Sequence, residues 1–149
     1  PCLVGKGAAV LARGTHAAAE HVQAAKQLFD ALGFTAEVPE TSLDGVTALS
    51  GSGPAYVFLI LEALIEGGVR VGLPRDLSRQ LVLHTVAGAV EMMTETGQHP
   101  AVLKEMVTSP GGTTACALEH LEAAGLRGIL VQAVVKAWER AQELSGAKE

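Results

Sequence analysis

The hydrophobic pattern of this chain changes class once, near residue 40, and that change limits what the chain can fold into. Before it, short apolar runs flank one helical pattern; after it only helical spacing occurs, divided by Gly and Pro. Gly7–Arg13 reads as a short strand. Thr15 is a candidate N-cap, Val22, Ala25, Phe29 and Leu32 recur at helical spacing, and Gly33 supplies the stop. Phe34–Val38 reads as a second strand, ended by Pro39. Parallel sheets are normally buried on both faces, and two strands with one helix cannot cover both. Residues 1–40 are therefore expected to be the tail of a larger α/β domain, and Pro1 in place of an initiating Met suggests a piece of a longer protein.

From Thr41 onward the spacing predicts an all-helical domain reaching residue 149. Thr41–Leu49 reads as a short amphipathic helix, and Ser50-Gly51-Ser52-Gly53-Pro54 as a break that starts the next one. Tyr56–Val69 is apolar almost all round, the mark of a helix buried against several neighbours. Gly72-Leu73-Pro74 resets the chain, and Asp76–Thr96 carries Leu77, Leu81, Val82, Val86, Val90 and Met93 on one broad face before Gly97. Further helices are expected over Pro100–Val107, over Thr113–Ala124 with Leu118 and Leu121 inward, and over Leu126–Ser145 with Trp138 on the apolar stripe. The small-residue faces offer more apolar surface than roughly 110 residues comfortably bury alone, which predicts a homodimer.

Composition excludes several classes of function. Lys and Arg total 11 against 16 Asp and Glu, a formal charge of −5, so no basic field gathers phosphates and nucleic-acid binding is disfavoured. Aromatic residues make up 3%, too few for stacking platforms. Cys2 and Cys116 belong to no CxxC, consistent with a reducing, cytoplasmic setting. The apolar run from Ala55 is interrupted by Glu62 and falls short of the roughly 20 residues that cross a bilayer, so no membrane is expected.

Most pairs that invite chemistry have a plainer explanation. In Gly5-Lys6-Gly7 the position three beyond Gly7 is Val10, and the pair precedes a strand instead of following one, so a local turn outweighs a dinucleotide loop. Cys116 and His120 stand four apart on one helix with no second ligand pair near in sequence, and no metal site is expected. Glu62 and Glu66 read as partly exposed residues sooner than as an acid/base pair.

One segment stands above this background: Lys104-Glu105-Met106-Val107-Thr108-Ser109-Pro110-Gly111-Gly112-Thr113-Thr114. A helix ends, a Ser-Pro-Gly-Gly loop turns, and a new helix starts at the Thr pair. Such a start directs unpaired backbone N–H groups outward, where they attract a carboxylate or phosphate. Gly111 and Gly112 permit close approach to the backbone, while Ser109, Thr113 and Thr114 add hydroxyls. A loop with an ordinary helix cap accounts for the same residues.

The run PAVLKEMVTSPGGTTACALEHLE, Pro100–Glu122, closely resembles the signature of the Δ1-pyrroline-5-carboxylate reductases. Pro100, Leu103, Val107, Thr108, Ser109, Gly111, Gly112, Thr114, Ala117, Leu118, Leu121 and Glu122 fall where that signature requires them. The likeness extends to Leu49–Tyr56, to the Gly67-Gly68-Val69 and Gly72-Leu73-Pro74 turns, to Gln98-His99-Pro100 and to Ala141–Leu144. It covers the C-terminal half of that family.

The resemblance implies a mainly α fold, a helical dimerisation domain at 41–149 preceded by the last β-α-β piece of an incomplete Rossmann domain at 1–40. It implies reduction of Δ1-pyrroline-5-carboxylate to L-proline with NADPH or NADH. Ser109, Gly111, Gly112, Thr113 and Thr114 would bind the substrate, with Thr114 catalytic at the ring nitrogen; Gly53 and Pro54 would lie near the nicotinamide. The GxGxxG fingerprint is absent, so the main nucleotide site is expected outside this chain and the isolated chain is expected to be inactive. Ala115 stands where the family usually has a branched apolar residue. Two alternatives stay open: a non-catalytic helical dimerisation or binding module, and a related dehydrogenase acting on a hydroxy acid. The latter use an interior-helix Lys, and this chain has none between Lys26 and Lys104.

Overall fold

The computed structural model describes residues 1–146, and it is mainly helical. Two compact units are present: Pro1–Tyr56 together with the chain from Val131 onward, and Val57–Leu130.

The first unit contains the two strands. β1 (Gly7–Leu11) and β2 (Gly33–Glu37) pair in parallel with Gly7 opposite Gly33 and Leu11 opposite Glu37. Gly7 and Gly33 are both required there: a Cβ on Gly33 would run into the Gly7 backbone, and Gly33 has φ +144°. Between them runs α1 (Ala19–Asp30). It starts three residues later than a Thr15 cap would place it, because the Ala17 amide donates to Gly14 O at 3.0 Å and holds Thr15 inside a tight turn. The cap is supplied from within the helix, where His21 Nδ1 accepts from the Ala18 amide at 3.1 Å. Val22 and Ala25 are half-buried, whereas Phe29, Leu32 and Phe34 stay exposed, as expected of a sheet fragment whose faces are incompletely covered.

The largest departure from the sequence reading lies at Ser50–Pro54. Instead of a break, helical turns run from Glu40 to Arg70 over 31 residues. A 3₁₀ turn (Glu40–Ser42) leads into α2 (Leu43–Val46), then a π-helical segment (Thr47–Gly51), then α3 (Gly53–Arg70). The wider π turn accommodates Pro54, which brings no N–H to the ladder: the Ser52 amide reaches back to Thr47 O at 2.8 Å and the Ala55 amide to Ser52 O at 3.0 Å. Because the helix is continuous, its most apolar stretch has a mean hydropathy of 1.5 and is long enough to cross a bilayer, which corrects the length expected from the interrupted run.

α3 is also less buried than its all-round apolar sequence predicts. Within the chain only 6% of that stretch is buried, and Phe58 and Leu59 are 65% and 67% exposed. The same holds for α4 (Arg75–Thr96), where Val82 and Val86 are half-buried but Leu77, Leu81, Val90 and Met93 are exposed. α3 and α4 come close where Gly68 lies against Ser78, which is 1% exposed and bonds Pro74 O at 3.1 Å through its hydroxyl.

α5 (Pro100–Met106), α6 (Thr113–Ala123) and α7 (Leu126–Gly146) follow, with Gly97 and Gly125 in the left-handed region at the preceding turns. His99 caps α5, its Nδ1 accepting from the Ala101 amide at 3.2 Å. Leu118 is half-buried, but Leu121, expected inward, is exposed, as is Trp138 on α7.

Candidate functional site

The segment singled out in the sequence forms one continuous device between α5 and α6. α5 ends in stacked back-bonds: the Thr108 hydroxyl donates to Lys104 O at 2.6 Å and the Thr108 amide to Glu105 O at 3.0 Å. Ser109-Pro110-Gly111-Gly112 then closes a four-residue turn, with the Gly112 amide donating to Ser109 O at 3.0 Å. Pro110 presets the first central dihedral and Gly111, at φ +68°, takes the left-handed second, the arrangement of a type II turn.

Gly112 is the N-cap of α6 and has no side chain to cap with. The amides of Thr113, Thr114 and Ala115 accordingly have no acceptor among the described residues, while the Cys116 amide is the first to be paired, with Gly112 O at 3.2 Å. Three free N–H groups at the positive end of an 11-residue helix make a receptor for an anion. Ser109 and Thr113 are exposed and Thr114 is half-buried. The structure thus brings Ser109, Gly111, Gly112, Thr113 and Thr114 together in one turn of the second unit.

The electrostatics nearby come from the other end of α6. Arg127 Nη2 lies 2.6 Å from Glu122 Oε1, and this hydrogen bond and charge hold the Glu122 carboxyl below its ordinary value and raise Arg127 above its own. Lys104 on α5 lowers Glu122 further. Lys104 also borders a cleft of about 270 Å³ lined by Ala89, Met92, Met93, Pro100, Leu103 and Val107. Cys116, His120, Glu62 and Glu66 are exposed.

Gly53 and Pro54 are placed in the first unit, in the opening turn of α3, and both are half-buried. The direction of a Gly53 Cβ is open, so a flat group can approach the backbone there. Gly7 is not available in this way: a Cβ there would strike Cys2 Sγ, and its amide donates to Leu32 O at 2.8 Å, while the Gly5 amide donates to Cys2 O at 3.1 Å. The sequence reading missed Tyr56, whose hydroxyl donates to Ala48 O at 3.2 Å across the π turn. An aromatic hydroxyl two residues beyond a Ser/Gly/Pro cluster is the available signal, but only continuity of the helix brings it to Ala48, eight residues back.

Residues 40–144 match the family model described as pyrroline-5-carboxylate reductase dimerisation. The chain belongs to this family. It is 50% identical over 145 residues to pyrroline-5-carboxylate reductase of Glycine max, covering 97% of this chain and 53% of that protein. With pyrroline-5-carboxylate reductase 2 of Homo sapiens it shares 49% over 144 residues, covering 97% and 45%. A solved Plasmodium falciparum pyrroline carboxylate reductase, described with NADP bound, superposes with a TM-score of 0.93 at 38% identity, over 96% of this chain and 58% of that one. The chain spans about half the length of the curated relatives it matches. That solved reductase fits the mainly helical architecture that follows the two parallel strands.

Proposed function

We propose that this chain forms the C-terminal part of an enzyme that reduces Δ1-pyrroline-5-carboxylate to L-proline with NADPH or NADH. The observation that carries the reading is the Ser109–Thr114 turn. It presents three unpaired amides and three side-chain hydroxyls, those of Ser109, Thr113 and Thr114, in a member of the pyrroline-5-carboxylate reductase dimerisation family. A cyclic imine carrying a carboxylate offers what such a turn takes: an anion for the amides of Thr113–Ala115 and the Ser109 hydroxyl, and a ring nitrogen for the Thr114 hydroxyl.

When bound, the reduced nicotinamide supplies a hydride to the imine carbon. The chain's residues orient the acceptor. The turn fixes the carboxylate, and Thr114 holds or relays the proton at the ring nitrogen, since a protonated iminium is the better hydride acceptor. Gly53 and Pro54, whose backbone a flat ring can approach, are assigned to the nicotinamide. The rest of the nucleotide falls to residues outside this chain in this reading, because its sequence carries no GxGxxG turn.

The domain boundary in this reading is 40/41, with the nucleotide-domain remnant before it and the dimerisation domain from 41 to 149. The start of the family match at residue 40 supports it. The exposed faces of α3 and α4 are taken as the self-association surface of a homodimer, sooner than as a lipid-facing one, because Glu62 and Glu66 interrupt α3. The acidic balance disfavours nucleic acid, and the free Cys2 and Cys116 suit a cytoplasmic setting.

Steady-state kinetics of the full-length enzyme test the assignment. Thr114→Ala is expected to lower kcat with the imine tenfold or more while leaving nucleotide affinity nearly intact. Ser109→Ala is expected to raise KM for the imine, with the helix amides retaining part of the attraction. Unchanged kcat and KM in the folded Thr114→Ala enzyme would reduce the Thr pair to a helix start.

A further inference from the structure

α5 and α6 both belong to the second unit and are joined through the Ser109–Gly112 turn, yet their starts differ. At α6 the amides of Thr113, Thr114 and Ala115 are left open. At α5 one residue takes every donor of the first turn. Pro100 brings no N–H, the Ala101 amide donates to His99 Nδ1 at 3.2 Å, and the Val102 and Leu103 amides donate to His99 O at 2.9 and 3.3 Å. α5 is seven residues long, too short to keep its winding without support at its ends. Its last turn leads straight into the candidate site: Thr108 is tied by its hydroxyl to Lys104 O and by its amide to Glu105 O, and the next residue is Ser109. Whatever fixes the winding of α5 therefore fixes where the Ser109 hydroxyl stands.

We propose that His99 is a positioning residue for the substrate carboxylate: by capping α5 it holds Thr108 and Ser109 in register with the open start of α6. The proposal rests on the reading of the Ser109–Thr114 turn as the carboxylate site. His99 acts through the helix. Its bond to Ala101 needs Nδ1 without a proton, since only then does the ring offer an acceptor there. The ring is exposed, so its contribution lies in that acceptor more than in packing. Asn supplies a side-chain acceptor at an N-cap and Ala supplies none, so the pair His99→Asn and His99→Ala isolates the bond. Without the acceptor the Ala101 amide is left to water and the first turn opens. In a helix of two turns that loosening reaches Thr108.

The test uses the full-length protein, first without nucleotide. Hydrogen exchange resolved along the chain reads the Thr108 and Gly112 amides, which hold the turn through Glu105 O and Ser109 O. In His99→Ala both are expected to exchange about three- to tenfold faster than in the parent, and in His99→Asn at close to the parental rate. With nucleotide and imine, His99→Ala is expected to raise KM for the imine by a similar factor while kcat stays within about twofold, and His99→Asn to restore KM. A merely structural cap speeds exchange over Ala101–Leu103 and lowers the melting temperature, but leaves Gly112 exchange and KM at parental values. That result overturns the proposal, as does His99→Asn behaving like His99→Ala. Should His99→Ala not fold, Thr108→Val, which cuts the hydroxyl link at the other end of α5, carries the same two expectations and the same refutation. A parent enzyme that reduces no Δ1-pyrroline-5-carboxylate overturns the reductase reading instead, while the exchange rates still decide whether His99 holds the turn.

Discussion

Gly112 faces Ser109 so closely that a methyl group in place of its α-hydrogen would collide with the Ser109 hydroxyl oxygen and stand 3.1 Å from its carbonyl oxygen. The glycine is therefore a requirement of side-chain placement, and its own φ of −78° would suit any residue. Gly111 is the reverse case, with open space around it but a φ of +68°.

The two glycines should consequently fail in different ways. Gly112→Ala pushes the Ser109 hydroxyl off the turn and is expected to raise KM for the imine about tenfold, roughly the loss of one charge-assisted hydrogen bond. Gly111→Ala imposes left-handed strain of about 1–2 kcal/mol, which lowers thermal stability more than it alters KM. Kinetics paired with thermal melts separate the two outcomes; equal KM values in both variants would contradict the account.

The carboxylate of Glu122 gives a pH prediction. Its partner Arg127 holds the folded-state value below the ordinary 4.5, so the stabilisation is present above the unfolded value and is lost as pH falls through the folded one. Both side chains are solvent-exposed, and the contribution is small. Thermal melts of the parent chain and Glu122→Gln are expected to differ slightly near neutrality and to converge below pH 4. A gap that widens on acidification would reverse the sign.

The Ser109–Gly112 turn and the helix ends at Gly97 and Gly125 were legible because glycine and proline act locally: Pro110 and Gly111 can form little but a tight turn, and Gly97 and Gly125 end helices through their own dihedrals. The strands were legible to within a residue or two for the same reason. The Ser50–Pro54 segment was not. Its residues favour a break locally, and what keeps the helix running is the reach of the Ser52 amide to Thr47 O together with Tyr56 on Ala48, contacts no window of spacing reveals. The burial of α3 was misjudged because an apolar sequence specifies that a surface will be covered without saying by which chain.

Gly68 and Ser78 supply a packing test. A Cβ on Gly68 would lie 2.9 Å from the Ser78 Cβ and 2.7 Å from its hydroxyl oxygen, and Ser78 has no room to retreat. Gly68→Ala is expected to destabilise by about 1–3 kcal/mol, the usual cost of overpacking. Ser78→Gly should restore much of that loss, because it removes the atoms struck. Chemical denaturation of both single variants and the double variant measures the coupling; additive effects would show that the helices separate there without cost.

The exposed apolar faces of α3 and α4 predict how the isolated 149-residue chain behaves. Phe58, Leu59 and Leu64 on α3, with Leu77, Leu81 and Val90 on α4, are at least two-fifths exposed, and apolar helix faces left in that state bind another copy or aggregate. Light scattering at micromolar concentration is expected to find a dimer, and Leu59→Glu to weaken it. The same preparation should bind NADPH too weakly for calorimetric detection at micromolar concentration and should reduce no imine, because the Gly-rich phosphate turn is absent from its sequence. A cooperatively unfolding monomer would refute the assignment of these faces to self-association. Micromolar NADPH binding would refute the division of labour in which this chain holds the carboxylate and the nucleotide is held elsewhere.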